Sequence, residues 1–288
     1  MISKSNESAL KWAWEFSVLN PKLTIGVFAV LGLLLFLSII TLKMGIGVLL
    51  FLFLVFLVLS VQLFVGDYVA KYKDEEVLKQ NIGNVQLNNI LFDKFPIAMG
   101  SFIGLFVVGI GISIAAGILY FIFKLFGVFG YFLFGIVSIT IGLIFLYIMP
   151  AVFGEILKSN SFGEAFNKAF LYFNVKFWSK TFNQNYMFFV FVWMMVESGV
   201  SSLIASLSTF LGVVVFGALF ASYFASAFGG YYNNMLVYTN PGFSFGFIVA
   251  LIIYSIAVGI MLYYLLLYNG IVYAYAAQKT LQSQSEVE

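Results

Sequence analysis

The chain has 288 residues, of which 62% are hydrophobic, 20% aromatic and 9% charged, with a mean hydropathy of +1.05. Soluble domains carry roughly 25% charged residues to cover their surface, so a water-soluble fold is excluded and lipid is the solvent for most of these side chains. The net charge of +2 comes from 14 Lys and 12 acids with no Arg, and Cys and His are both absent; thiolate and imidazole chemistry, disulfides and Arg-rich nucleic-acid binding are therefore excluded.

Residues 1–22 read as a cytoplasmic amphipathic segment. In NESALKWAWEFSVLNPK, Ala9, Trp12, Ala13 and Phe16 share a helical face with Glu7, Lys11 and Glu15 opposite. Pro21 stops this helix near Leu19. The first apolar run is too long for a cleavable leader and lacks a small-residue exit. Residues 23–279 read as a single integral domain. A hydrocarbon core of about 30 Å needs roughly 20 apolar residues per helix, and 23–42, 45–65, 96–123, 128–149, 186–206, 210–228 and 243–268 meet that length. The expected fold is an all-α polytopic bundle of about seven spans. Only Leu207-Ser208-Thr209 separates the fifth from the sixth, so a six-span arrangement with SSLIASLSTFLG at the interface is the alternative. Pro150 is read as closing the fourth span, the last helix can continue to Lys279, and 280–288 read as a frayed tail.

Lysines in short loops set orientation. With the N-terminus inside, Lys4, Lys11, Lys22, Lys71, Lys73, Lys79, Lys94, Lys158, Lys168, Lys176 and Lys180 are cytoplasmic. Lys43, Lys124 and, with seven spans, Lys279 are outside. The location expected is the cell membrane.

The second polar stretch, around Val77–Phe95, has an irregular amphipathic pattern; the third is the best specified. Ser161 and Glu164 have capping-box spacing. Phe162, Ala165, Phe166, Ala169, Phe170, Phe173 and Phe177 recur at three- and four-residue steps, and Glu164 and Lys168 pair at i,i+4 on the other side. This predicts a helix lying in the membrane plane, running into Lys176 and Trp178; packing of the Phe stripe on neighbouring spans is compatible with it. Three amphipathic elements thus alternate with pairs of spans.

The run Pro150, Glu155, Ser161, Ala165, Ala169–Phe170 and Lys176–Phe177–Trp178 resembles a pattern in a loose group of uncharacterised prokaryotic polytopic membrane proteins. These are similar to the membrane domain found beside some glycerophosphodiester phosphodiesterases. The resemblance covers about thirty residues and the general layout, and this chain departs from it in lacking an Arg in that helix. It implies an integral protein of about six spans with no established chemistry in the membrane.

Catalytic motifs are absent. GIGISIAAG at 109–117 lies in an apolar helix, not after a strand, so it is no dinucleotide loop. Gly100 and Gly104, and the stripe Gly217, Ala221, Ala225, read as close helix contacts within the chain, with a homo-oligomer seam as the alternative. Tyr186, Tyr231, Tyr232, Tyr238, Tyr263, Tyr264 and Tyr268 read as an aromatic belt at span ends. Asp67 and Asp93 stand beside Lys-rich loops and form no acid dyad. Glu197 lies near mid-membrane with Ser198, Ser201 and Ser202 around it. There a charge costs upwards of about 2.5 kcal/mol, so the group is protonated, hydrogen-bonded or facing water. The function expected is non-enzymatic organisation of membrane lipids or partner proteins, without a cofactor; the alternative is a small transporter or channel using Glu197.

Overall fold

Each long apolar run is helical, and two left-handed glycines turn the first two pairs back on themselves. In a computed structural model, which describes residues 4–41, 44–228 and 245–285 (side chains of 39, 40, 208, 211–228, 245–258 and 281–285 excepted), the order is α1 (Asn6–Leu19), α2 (Pro21–Ile40), α3 (Ile46–Lys71), α4 (Glu75–Ile82), α5 (Leu87–Phe92), α6 (Phe95–Lys124), α7 (Gly127–Leu157), α8 (Phe162–Ala169), a 3-10 turn (Phe170–Phe173), α9 (Val175–Ser179), α10 (Gln184–Phe228) and α11 (Phe245–Ser285). The described residues contain no strand. Gly45 (φ 75°) and Gly127 (φ 61°) sit at the tips of the α2–α3 and α6–α7 hairpins, where only a residue without Cβ adopts this geometry without strain. The fold is an all-α polytopic bundle, and six helices among the described residues are long and apolar enough to cross a membrane.

Two compact units divide the chain: residues 1–194 with 264–288, and residues 195–263. The first is built around the last turns of α11. A Cβ on Gly270 would strike the Gln62 carbonyl, and one on Gly66 would strike the Gly270 carbonyl, so α11 and α3 touch backbone to backbone. On another side Gly154 of α7 meets the Tyr273 carbonyl and lies against the Ala277 methyl, while Phe153 stacks on Tyr273 at 4.8 Å. Tyr268, Ile271, Val272 and Ala276 are consequently fully buried.

Polar groups tie α1 and α10 to the same post. Asn6 donates to the Phe189 carbonyl (2.8 Å) and accepts from the Tyr268 hydroxyl (2.8 Å). Tyr264 donates to the Leu10 carbonyl (2.9 Å), and the Trp193 indole to Asn269 Oδ1 (2.7 Å). The predicted apolar face of α1 is the buried one, with Ala9, Trp12, Ala13 and Phe16 all at 0% exposure. Its partner is protein. The opposite face is pinned to α4 by Lys11–Glu75 (2.7 Å) and Glu15–Lys79 (3.3 Å). Asn20 accepts from Leu23 N–H at the α1–α2 joint while its amide reaches the Ile82, Gly83 and Val85 carbonyls, closing the C-terminal end of α4.

Four expectations change. Pro150 does not end the fourth span: α7 runs on to Leu157. The gap that proline opens in the helix ladder is bridged by the Tyr186 hydroxyl, which accepts from Ala151 N–H (3.2 Å) and donates to the Tyr147 carbonyl (2.9 Å). Leu207-Ser208-Thr209 is no break either, since α10 is a single helix through it. Hydroxyls in an apolar helix satisfy themselves on the preceding turn, as Ser38, Thr41, Ser113 and Thr140 do on the carbonyls four residues back. The tyrosine belt does not hold for Tyr186, Tyr263 and Tyr268, which are buried inside the protein; Tyr231, Tyr232 and Tyr238 lie outside the described residues. Finally, α11 is helical to Ser285, with neither Gly nor Pro to interrupt it over 280–285; residues 286–288 of the expected tail lie outside the described residues.

Tyr186→Phe keeps the ring but strands a buried N–H and a carbonyl of α7. A stability loss of about 1–3 kcal/mol is expected, read as a lower melting temperature of the detergent-solubilised protein.

Candidate functional site

The segment 161–178 is not the one continuous helix its pattern predicts: α8 ends at Ala169, Phe170–Phe173 form a 3-10 turn, and the extended backbone of Asn174 separates it from α9. Ser161 Oγ accepts from Glu164 N–H (3.3 Å), and Glu164 returns a carboxylate oxygen to Asn160 N–H (3.0 Å), one residue before the cap. Lys168 bonds Glu164 at 2.8 Å. The pair and the backbone bond hold the Glu164 carboxyl below its usual value of 4.5. Asn174 caps α9 on Phe177 N–H (3.1 Å), and the Trp178 indole donates to the Tyr172 carbonyl (2.9 Å).

Small residues decide which face docks. Ala165 and Ala169 are fully buried on α6. A Cβ on Gly100 would strike the Phe162 carbonyl, and one on Gly104 would lie 2.7 Å from both the Phe166 carbonyl and the Ala169 methyl. The G-x-x-x-G thus receives a short helix of the same chain, so the contact is intramolecular. Phe173 reaches Gly111 further along α6, so residues 162–173 run beside residues 100–111 in the same direction. Phe162, Phe166 and Phe170 make a ladder of rings along the free side, with Phe162 40% and Phe173 54% exposed. Phe177 is buried.

Beyond this dock α6 and α7 separate. Gly109, Ala115 and Ala116 on α6 and Ser138 and Gly142 on α7 leave a cleft of about 800 Å³ between the two helices. Aromatic contacts close the hairpin end, where Tyr120 and Phe123 meet Phe134 at 5.4 and 6.3 Å. At the other end Phe145 meets Tyr172 at 5.2 Å, so the 161–178 segment floors the cleft. Its lining is apolar except for Ser138 and Tyr172. The surrounding faces are equally apolar and outward-facing, with Ile110, Ile114, Ile118 and Ile139 at 46–66% exposure. The small residues of GIGISIAAG lie along the α6 side of this cleft, but small residues in a span equally mark close helix contact, so the sequence carried no specific signal for it.

Glu197 is half-buried on α10, whereas Ser198, Ser201 and Ser202 are exposed, and Ser198 spends its hydroxyl on the Met195 carbonyl (3.1 Å). Asp67 is held between Lys71 (2.9 Å) and Lys94 (2.8 Å), and Asp93 by the Asn89 amide (3.1 Å), so both are structural. Gly217, Ala221 and Ala225 have side chains outside the described residues.

Comparison with protein-family models, curated proteins and solved structures finds no match for this chain.

Because its folded value is depressed, the Glu164 carboxylate contributes stability that is present above pH 4.5 and is lost as pH falls below that value through the depressed one. The stability difference between the wild type and Glu164→Gln is expected to be full at pH 7 and to vanish on acidification below 4.5, measured as paired melting temperatures across pH.

Proposed function

We propose that this multi-pass protein is a non-catalytic organiser of membrane lipid, holding acyl chain in the cleft between α6 and α7. The observation that carries the reading is the cleft itself, an apolar gap bounded by two helices whose outer faces are also apolar. A gap of about 800 Å³ inside a span is filled by whatever solvates the span, and there that solvent is hydrocarbon. The floor made by Tyr172 and Phe173 limits how deep a chain reaches, so the site has a defined length. No charged group lines the cleft, which fits holding an apolar tail and not transferring a group to it.

The proposed setting is the cell membrane with the N-terminus in the cytoplasm. Lysine distribution supports this, and the fold sharpens it. Lys279 lies over the Phe189 ring at 5.3 Å, and Tyr268 bonds Asn6, so the end of α11 sits beside α1. Ends on one face require an even number of crossings, in keeping with six qualifying helices among the described residues. Lys279 then joins the cytoplasmic lysines, leaving only Lys43 and Lys124 on the other side. A transporter reading centred on Glu197 draws less support, because Ser198 spends its hydroxyl on the Met195 carbonyl and Ser201 and Ser202 are exposed.

Native mass spectrometry after detergent exchange tests the cleft. The wild type is expected to retain lipid that Ala116→Trp, which fills the cleft, no longer holds, while Ile114→Trp on the outer face of α6 retains it. Equal retention by all three overturns the reading.

A further inference from the structure

A second cavity, of about 1080 Å³, lies in the first unit between the start of α1, Tyr147 of α7, the first turns of α10 and the end of α11. Its two halves differ in chemistry. Ser5, Asn6, Glu7, Gln184, Asn185 and Lys279 line the end nearest the chain termini. Met187, Phe188, Phe191 and Val192 line the other end, and Met187, Phe188 and Phe191 are 51–69% exposed. From Gln184 to Met194 the helix rises about 15 Å at the usual 1.5 Å per residue, roughly half the hydrocarbon thickness. The groove therefore leads from a polar face down an apolar, lipid-facing flank.

Among the described residues six ion pairs tie down lysines and acids elsewhere, and neither Glu7 nor Lys279 takes part in any of them. Lys279 rests on the Phe189 ring at the polar end of the groove. Glu7, in the first turn of α1, offers a carboxylate on the same groove. An amphiphile with a phosphate and a primary ammonium satisfies both, because the phosphate meets Lys279 while the ammonium N–H groups donate to Glu7. Its tail then lies along Met187, Phe188 and Phe191.

We infer that this groove binds one phosphatidylethanolamine-type phospholipid, its phosphate on Lys279, its ammonium on Glu7 and an acyl chain along the first turns of α10. The inference deepens the lipid-holding reading by naming a headgroup class, but it concerns a different place, so the two fail separately. In native mass spectrometry with vesicle-derived lipid, Ala116→Trp abolishes only the headgroup-indifferent species. The groove species is expected to favour phosphatidylethanolamine over phosphatidylglycerol on the order of tenfold, the size of one charge-assisted hydrogen bond. Glu7→Gln is expected to erase that preference, Lys279→Gln to weaken both lipids on the order of tenfold, and Lys279→Arg to keep both. Phosphatidylglycerol held as well as phosphatidylethanolamine by the wild type, or retention unchanged in Lys279→Gln, overturns the inference.

Discussion

The meeting of α3 and α11 without side chains between them is the contact on which the first unit depends. Lipid tails are as apolar as Leu, so helices in a bilayer gain nothing by hiding Leu from their solvent; they gain by close packing. Gly66 and Gly270 make that packing possible, each placed where a methyl group would meet the other helix's carbonyl. Gly154 repeats the device between α7 and α11, and Gly100 with Gly104 repeats it between α6 and α8. Once α11 is seated, its polar side chains are in position to receive Asn6, Leu10 and Trp193, and the first helix of the chain is closed over the last.

The same economy explains where side-chain hydroxyls and amides go. With no water in the hydrocarbon region, every backbone group needs an internal partner. The defect at Pro150 is met by the Tyr186 hydroxyl, the open end of α4 by Asn20, and Ser38 and Thr140 within spans fold back on their own helix. The ion pairs stand near the ends of helices, where they cross-link α1 to α4 and α3 to the start of α6. What is left over is concentrated in two places, an apolar cleft and a groove that carries Glu7 and Lys279.

Local features were legible in the sequence. The spans stood out by length and hydropathy, the Ser161–Glu164 capping box by spacing, and the buried face of α1 by its three- and four-residue repeat. Nonlocal compensation was not legible. Nothing near Pro150 announces that a tyrosine from the following helix repairs its gap, and Gly270 gives no sign that its partner is Gly66. Gly100 and Gly104 announced a close contact, yet the partner is an eight-residue amphipathic helix that by itself reads as a guest of the lipid surface. An apolar stripe carries the same pattern whether protein or acyl chain covers it, and only the fold decides between them. For the cleft, small residues were visible, but a gap is a property of two helices together.

Alanine placed at single glycines separates contact from mere flexibility. At Gly66, Gly154 and Gly270 a methyl group meets backbone, and each change is expected to lower stability by about 1–3 kcal/mol. At Gly109, Gly117 and Gly142 nothing lies within 4 Å of the added atom, and alanine there is expected to leave stability unchanged or raise it by about 0.5–1 kcal/mol through helix propensity. Melting temperatures of the six variants in one detergent carry the comparison. A clear split between the two sets is the expected result; equal effects in both would show that α11 is not held by backbone contact.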